Sequence, residues 1–165
     1  CLVGGRRNAT HDAQRDLWAQ PLPSTGFAVH REQHVPGWDR WVRRANGTWF
    51  WQRAVLDLRL EAPPDAPVTY LDVKVTHPCS ATYVAGAAGE NGFAAQKAED
   101  DKHARDPANP PGVSGRLVPL VVETYGRWGK EGLRFLKKAT ARTAARTTAL
   151  AVLGGEGPPA VLGAW

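Results

Sequence analysis

Asp57, Asp72 and Lys74 are the residues whose types and spacing most directly suggest chemistry. Asp72 and Lys74 stand two apart as D-V-K, and an extended chain carries residues two apart on one face. If the segments around Asp57 and Asp72 pair, the two carboxylates can converge into an oxygen site suited to Mg²⁺ or Mn²⁺. An ion held this way polarises a phosphodiester and helps generate hydroxide, while a nearby ammonium stabilises developing charge or orients the water. Plainer readings stand beside this one. The acids can be solvated groups on the open face of a sheet, and Lys74 the cross-strand partner of an acid. A zinc site would need Cys1, His11, His77 and Cys79, whose spacings match no ligand pattern.

The elements that must position these residues follow from period and punctuation. His11 to Gln20 reads as a short helix with Thr10 as N-cap, stopped by Pro21 and Pro23. Gly26 to Val35 alternates as a strand, with Phe27, Val29, Arg31 and Gln33 on one face and Ala28, His30, Glu32 and His34 on the other. Asn46-Gly47 predicts a hairpin into a strand over Thr48 to Glu61. A proline-rich link at 62–67 leads to the strand Val68 to Thr76. A helix is expected over Phe93 to Arg105, a strand over Arg116 to Thr124, and a helix from about Lys130 to Val152. Pro119 assigns the strand at 116–124 to a sheet edge or a bulge. The order predicts an α/β domain over residues 1–152, a mixed β-sheet flanked by helices, with 153–165 as a flexible tail. No glycine-rich phosphate loop follows any strand, which removes the main feature of a nucleotide-binding reading.

Composition sets the outer limits. The chain has 165 residues, 42% of them hydrophobic and 22% charged, enough for one folded domain and unlike a disordered chain. Its 21 Lys+Arg against 16 Asp+Glu give a formal charge of +5, which suits a polyanionic partner. Arg134, Lys138, Arg142 and Arg146 recur every four residues as a basic stripe, a shape that either follows a phosphate backbone or faces solvent. Trp38, Trp41, Trp49 and Trp51 lie among Arg40, Arg43, Arg44 and Arg53, where they either stack on unpaired bases or close a hairpin against the core. No run approaches a membrane helix and no signal peptide is visible, so the expectation is a protein that is not secreted, nuclear or cytoplasmic. Two cysteines fit a reducing compartment, and a start at Cys1 with no methionine fits a segment of something longer.

The pattern of Asp57, Asp72 and Lys74 resembles that of the PD-(D/E)xK nuclease superfamily. The match extends to Val35-Pro36, the Leu56-Asp57-Leu58 strand, LDVKV at 71–75, the helix Lys97 to His103 and the string VPLVVETYGRWG at 118–129. Together they resemble the restriction-like endonuclease domain at the C-terminus of some non-LTR retrotransposon polyproteins, over residues 1 to about 145. The resemblance implies a restriction-endonuclease-like fold and Mg²⁺- or Mn²⁺-dependent nicking of DNA. It also implies an upstream reverse transcriptase segment that primes from the new 3′ end. Asp57 and Asp72 become the metal ligands. Relatives often carry the working lysine on the next helix, which points to Lys102 ahead of Lys74. Lys102 also lies four residues after Ala98 and seven after Ala95, on the small-residue face that should pack on the sheet. Glu32 matches an acid that extends such sites. His11 orients a phosphate or caps its helix. Asp12 and Asp106 depart from the family pattern, which keeps a non-catalytic nucleic-acid-binding module, or an inactive mobile-element remnant, as an alternative.

Overall fold

The protein is described by a computed structural model. It covers the backbone of residues 3–62, 67–106 and 112–154, with side chains for all of these except 3–8, 143 and 146–154. The elements run α1 (Val3–Ala19), β1 (Ala28–His34), β2 (Arg40–Arg43), β3 (Trp49–Gln52), β4 (Val55–Glu61) and β5 (Thr69–Thr76). Then follow α2 (Val84–Gly89), α3 (Phe93–Arg105), β6 (Arg116–Glu123) and α4 (Lys130–Gly154). One sheet has the order β1-β4-β5-β6, and β2 and β3 form a separate two-stranded ribbon. β1 and β5 both pair antiparallel to β4, whereas β5 and β6 run parallel, so the sheet is mixed. The parallel step requires a crossover, and α2 and α3 supply it.

Leu58, Leu60, Leu71, Val73, Val118 and Leu120 form the main core with Ala19 of α1 and Phe135 and Ala139 of α4. Ala95 and Ala98 of α3 pack on Val121, whose odd position puts it on the other sheet face from Val118 and Leu120. Helices therefore cover both faces, α1 and α4 on one and α3 on the other. Pro119 is fully buried in β6, which is an edge strand as proline demands. Among the described residues no helix is long and apolar enough to cross a membrane.

Three expectations need correction. α1 starts at Val3, two turns before His11, so Thr10 lies within the helix and not at its N-cap. The cap-like threonine and the weak helix formers Gly4 and Gly5 concealed that extension. The strand expected over Thr48 to Glu61 is two strands, β3 and β4, broken at Arg53-Ala54. Asp39 Oδ1 accepts the Ala54 N–H at 2.7 Å and Ala54 O accepts the Val35 N–H at 2.9 Å, which takes Ala54 out of the ribbon. Residues 80–92, rich in small side chains and expected to hold no element between the strand at 68–76 and the helix at 93–105, contain a further short helix, α2. The tail at 153–165 begins inside α4, and residues 155–165 lie outside the described residues.

Candidate active site

β4 and β5 are in register from Leu60↔Thr69 to Leu58↔Leu71, which places Asp57 opposite Asp72 one step further on. The ladder stops there. Leu58 enters the main core, but Leu56 packs in a second cluster with Val35, Trp38, Tyr70 and Leu117, while β4 stays paired with β1 on both sides of Asp57. Where the strands part, a side chain replaces a backbone acceptor: the Val73 N–H donates to Asp57 Oδ2 at 2.6 Å. This bond anchors the Asp57 carboxyl beside the backbone of β5.

Asp72 is buried and points toward α3. Lys102, also buried, donates from Nζ to Asp72 Oδ2, and Arg105 Nη2 donates to the same oxygen at 3.2 Å. Lys102 and Arg105 are one turn apart, so a single helix face aims both cations at Asp72. Arg105 also donates to Asp106 Oδ2 at 2.5 Å, and Asp106 Oδ1 accepts from Arg40 of β2. Asp106 is itself buried. A chain of alternating charge thus runs Arg40, Asp106, Arg105, Asp72, Lys102.

His11 completes the approach from α1. Its Nε2 lies 3.1 Å from the Val73 carbonyl oxygen and 3.3 Å from Asp57 Oδ2. Both neighbours are acceptors, so Nε2 carries its hydrogen. His11 is mid-helix and is no cap.

The charge of Asp72 acts on Asp57. Asp57 is pushed up to about 6, first by burial and then by the charge of Asp72. The Val73 N–H and His11 act in the opposite direction, and hydrogen-bonded contact with Asp72 favours the protonated form further. Burial lowers the Lys102 ammonium below its usual range, against the pull of Asp72.

The other expected residues divide. Lys74 is half-buried and makes no ion pair or hydrogen bond among the described residues, so Lys102 rather than Lys74 reaches the acids. Glu32 has a left-handed φ of 50°, and its carboxylate meets Arg15 of α1 at 2.5 Å instead of the acid pair. Arg134 and Lys138 are exposed on α4, and the Arg142 guanidinium sits 5.1 Å above the Phe27 ring. The Arg146 side chain lies outside the described residues. α4 covers the sheet face opposite α3, so this stripe and Lys102 belong to different faces. For the zinc reading, His77 Nδ1 contacts Thr124 Oγ1 at 2.7 Å and Cys79 contacts Tyr125, both remote in the chain from His11, and Cys1 lies outside the described residues.

Sequence reasoning missed Arg105, Asp106 and Arg40 as site members. Arg105 carried one readable signal, its place three residues after Lys102 on the same helix. The Arg40–Asp106 pair, 66 positions apart, carried none.

Among the described residues no group of three or more His, Cys, Asp or Glu is arranged to hold a metal ion. Asp57, Asp72 and the Val73 carbonyl are nevertheless hard oxygen donors gathered at one strand end, and the Asp57–Asp72 repulsion is one a divalent cation relieves. Oxygen is the donor type such an ion takes, although Asp72 Oδ2 already accepts from Lys102 and Arg105. No protein-family model matches the chain, and no curated protein matches it in sequence.

Proposed function

We propose that this chain is a metal-dependent DNA endonuclease domain with a restriction-endonuclease-like fold, acting as the nicking part of a retroelement polyprotein. The observation that supports it is the meeting of Asp57 and Asp72 where β4 and β5 part, with Lys102 Nζ on Asp72. Asp57, Asp72 and the Val73 carbonyl would hold Mg²⁺ or Mn²⁺, which when bound polarises the scissile phosphate.

The chain's own residues account for the rest. Lys102 is positioned to orient the attacking water and to balance charge on the phosphorane oxygens. His11, whose Nε2 now meets the Val73 carbonyl and Asp57, would turn its Nε2–H from them to a non-bridging phosphate oxygen. Arg105 holds Asp72 in place and is in turn fixed by Asp106. Water oxygen bonds to phosphorus as the bond from phosphorus to O3′ breaks, and O3′ takes a proton, leaving a 5′-phosphate and a 3′-hydroxyl from which an upstream reverse transcriptase primes. DNA and that segment are the partners this reading names, in the nucleus or cytoplasm.

A second reading, a DNA-binding module without catalysis, is favoured by the two cations already on Asp72 Oδ2, which leave that oxygen little need of a metal. A supercoiled plasmid separates the two. The endonuclease nicks it with Mg²⁺ and not with EDTA, and Asp72→Ala lowers the rate by about 1000-fold or more. Nicking that persists in purified Asp72→Ala ends the proposal, and binding without nicking at any metal concentration selects the second reading.

A further inference from the structure

The β2–β3 ribbon presents an aromatic surface that the acid site does not use. Its register pairs Trp41 with Trp51 and Arg43 with Trp49, so all four lie on one face. Trp41 and Trp49 are 62% exposed and Trp51 is 51% exposed, while Trp38, just before the ribbon, is buried against Tyr70. Closing a hairpin against the core therefore accounts for Trp38 alone. Three tryptophans left in water on one small ribbon are far more exposed aromatic area than a surface ordinarily carries.

The ribbon is also held rigid. Arg44 N–H donates to Thr48 O at 2.8 Å, Gly47 takes a φ of 85° that suits glycine, and Asn46 Oδ1 accepts from both Thr48 N–H and Thr48 Oγ1. Trp41 and Trp51 meet edge to face with centroids 5.4 Å apart. At the base, Asp39 holds Ala54 N–H and His34, and Arg53 donates to His34 Nδ1 at 2.9 Å. Arg40 joins the ribbon to Asp106, and through Arg105 to Asp72.

We infer that this face is a stacking site for single-stranded DNA beside the acid pair. Charge selects the occupant. Residues 38–53 contain four arginines and one acid, Asp39, which is already bonded inside the protein. On the tryptophan face itself Arg43 lies opposite Trp49 and meets no carboxylate among the described residues, while Arg40 is tied to Asp106, Arg53 to His34, and Arg44 lies 4.7 Å over Phe50 on the ribbon's other face. Three exposed indole rings beside the Arg43 guanidinium take unpaired bases and a phosphate, whereas a protein partner would need an apolar patch without that charge. The choice of DNA rests on the nuclease reading, because a site that activates water has no need of a 2′-hydroxyl.

The test is run on the full chain in EDTA, so that loss of stacking and loss of cleavage are read separately. Fluorescence anisotropy follows a labelled oligo(dT) of about 20 nucleotides, an abasic strand of equal length and a blunt duplex. Trp41→Ala with Trp51→Ala lowers oligo(dT) affinity about tenfold or more, and leaves the abasic strand and the duplex within about twofold. Trp41→Phe with Trp51→Phe keeps the rings and most of the affinity, which separates stacking from a folding defect. Unchanged oligo(dT) affinity in the alanine pair, or equal losses for all three ligands, overturns the assignment.

Discussion

Glu99 and Glu123 on the one hand, and Asp57 and Asp72 on the other, are four acids shielded from water to different degrees and satisfied in opposite ways. Glu99 Oε1 accepts from the N–H groups of Glu131 and Gly132 at the start of α4, at 2.9 and 3.3 Å. Glu123 Oε1 accepts the Ala95 N–H in the first turn of α3 at 3.1 Å. These carboxylates meet the free donors and positive end of a helix, which is a complete structural role. Gly129 shows how closely the first is fitted, since a Cβ there would collide with the Glu99 carboxylate. Burial still pushes Glu99 up, but the α4 amides oppose it. Asp57 and Asp72 face each other instead, and for Asp57 burial and its neighbour's charge act in the same direction. The difference teaches that burial alone does not set an acid's chemistry: Glu99 has helix amides that oppose both its burial and the charge of Glu131, whereas Asp57 has the charge of Asp72 added to its burial.

The largest effect expected from breaking this contrast is catalytic. Asp72→Ala and Lys102→Ala should lower plasmid nicking by about 1000-fold and about 100-fold, while Glu99→Gln leaves nicking within about threefold once the protein is folded. Equal losses in all three would mean that the acids near α3 act alike.

Stability reverses the ranking. Glu99→Ala strands the first amides of α4 and should lose about 2–3 kcal/mol in urea unfolding. Asp57→Asn should do the opposite. Asp57 titrates at about 6 in the fold and near 3.8 when unfolded, so its contribution is fully present below pH 3.8 and lost as pH rises through 6. At pH 8 the ionised group destabilises the fold, and asparagine, which still accepts the Val73 N–H, should stabilise it by about 1–3 kcal/mol. That gain disappears near pH 4. Because a divalent ion competes with the proton on Asp57, nicking at subsaturating Mg²⁺ should rise between pH 5 and 7 and the rise should flatten as Mg²⁺ saturates; a rate flat across that range at low Mg²⁺ contradicts the coupling.

The smallest effect belongs to the exposed stripe. Arg134→Ala with Lys138→Ala should change stability by less than about 0.5 kcal/mol, and reduce the slope of log affinity against log salt for duplex DNA by at most about 2.

Much of this was readable in advance, and the failures have physical causes. Alternation placed Leu58 and Leu60 inside and Asp57 and Asp72 on facing strands, because a half-buried strand writes its faces at period two. The Ala95, Ala98, Lys102 spacing marked the packed side of α3, and Lys102 is buried there. Glu32 followed the same alternation, yet its left-handed backbone and Arg15 hold it apart from the acids, and neither feature has a local signature. The break between β3 and β4 was hidden because its cause, Asp39, lies 15 residues upstream. Asp106 read as a departure from a family pattern, and its two arginines come from different elements.

Divalent-ion binding tests the acid pair most directly, without DNA or turnover. Titrating Mn²⁺ into the protein at pH 8 and following the free-ion electron paramagnetic resonance signal should reveal a bound ion that Mg²⁺ displaces and that Asp57→Asn and Asp72→Asn each remove, while Glu99→Gln retains it. Mn²⁺ that stays free with the unaltered protein, or binds equally to all four, would contradict an ion site between Asp57 and Asp72.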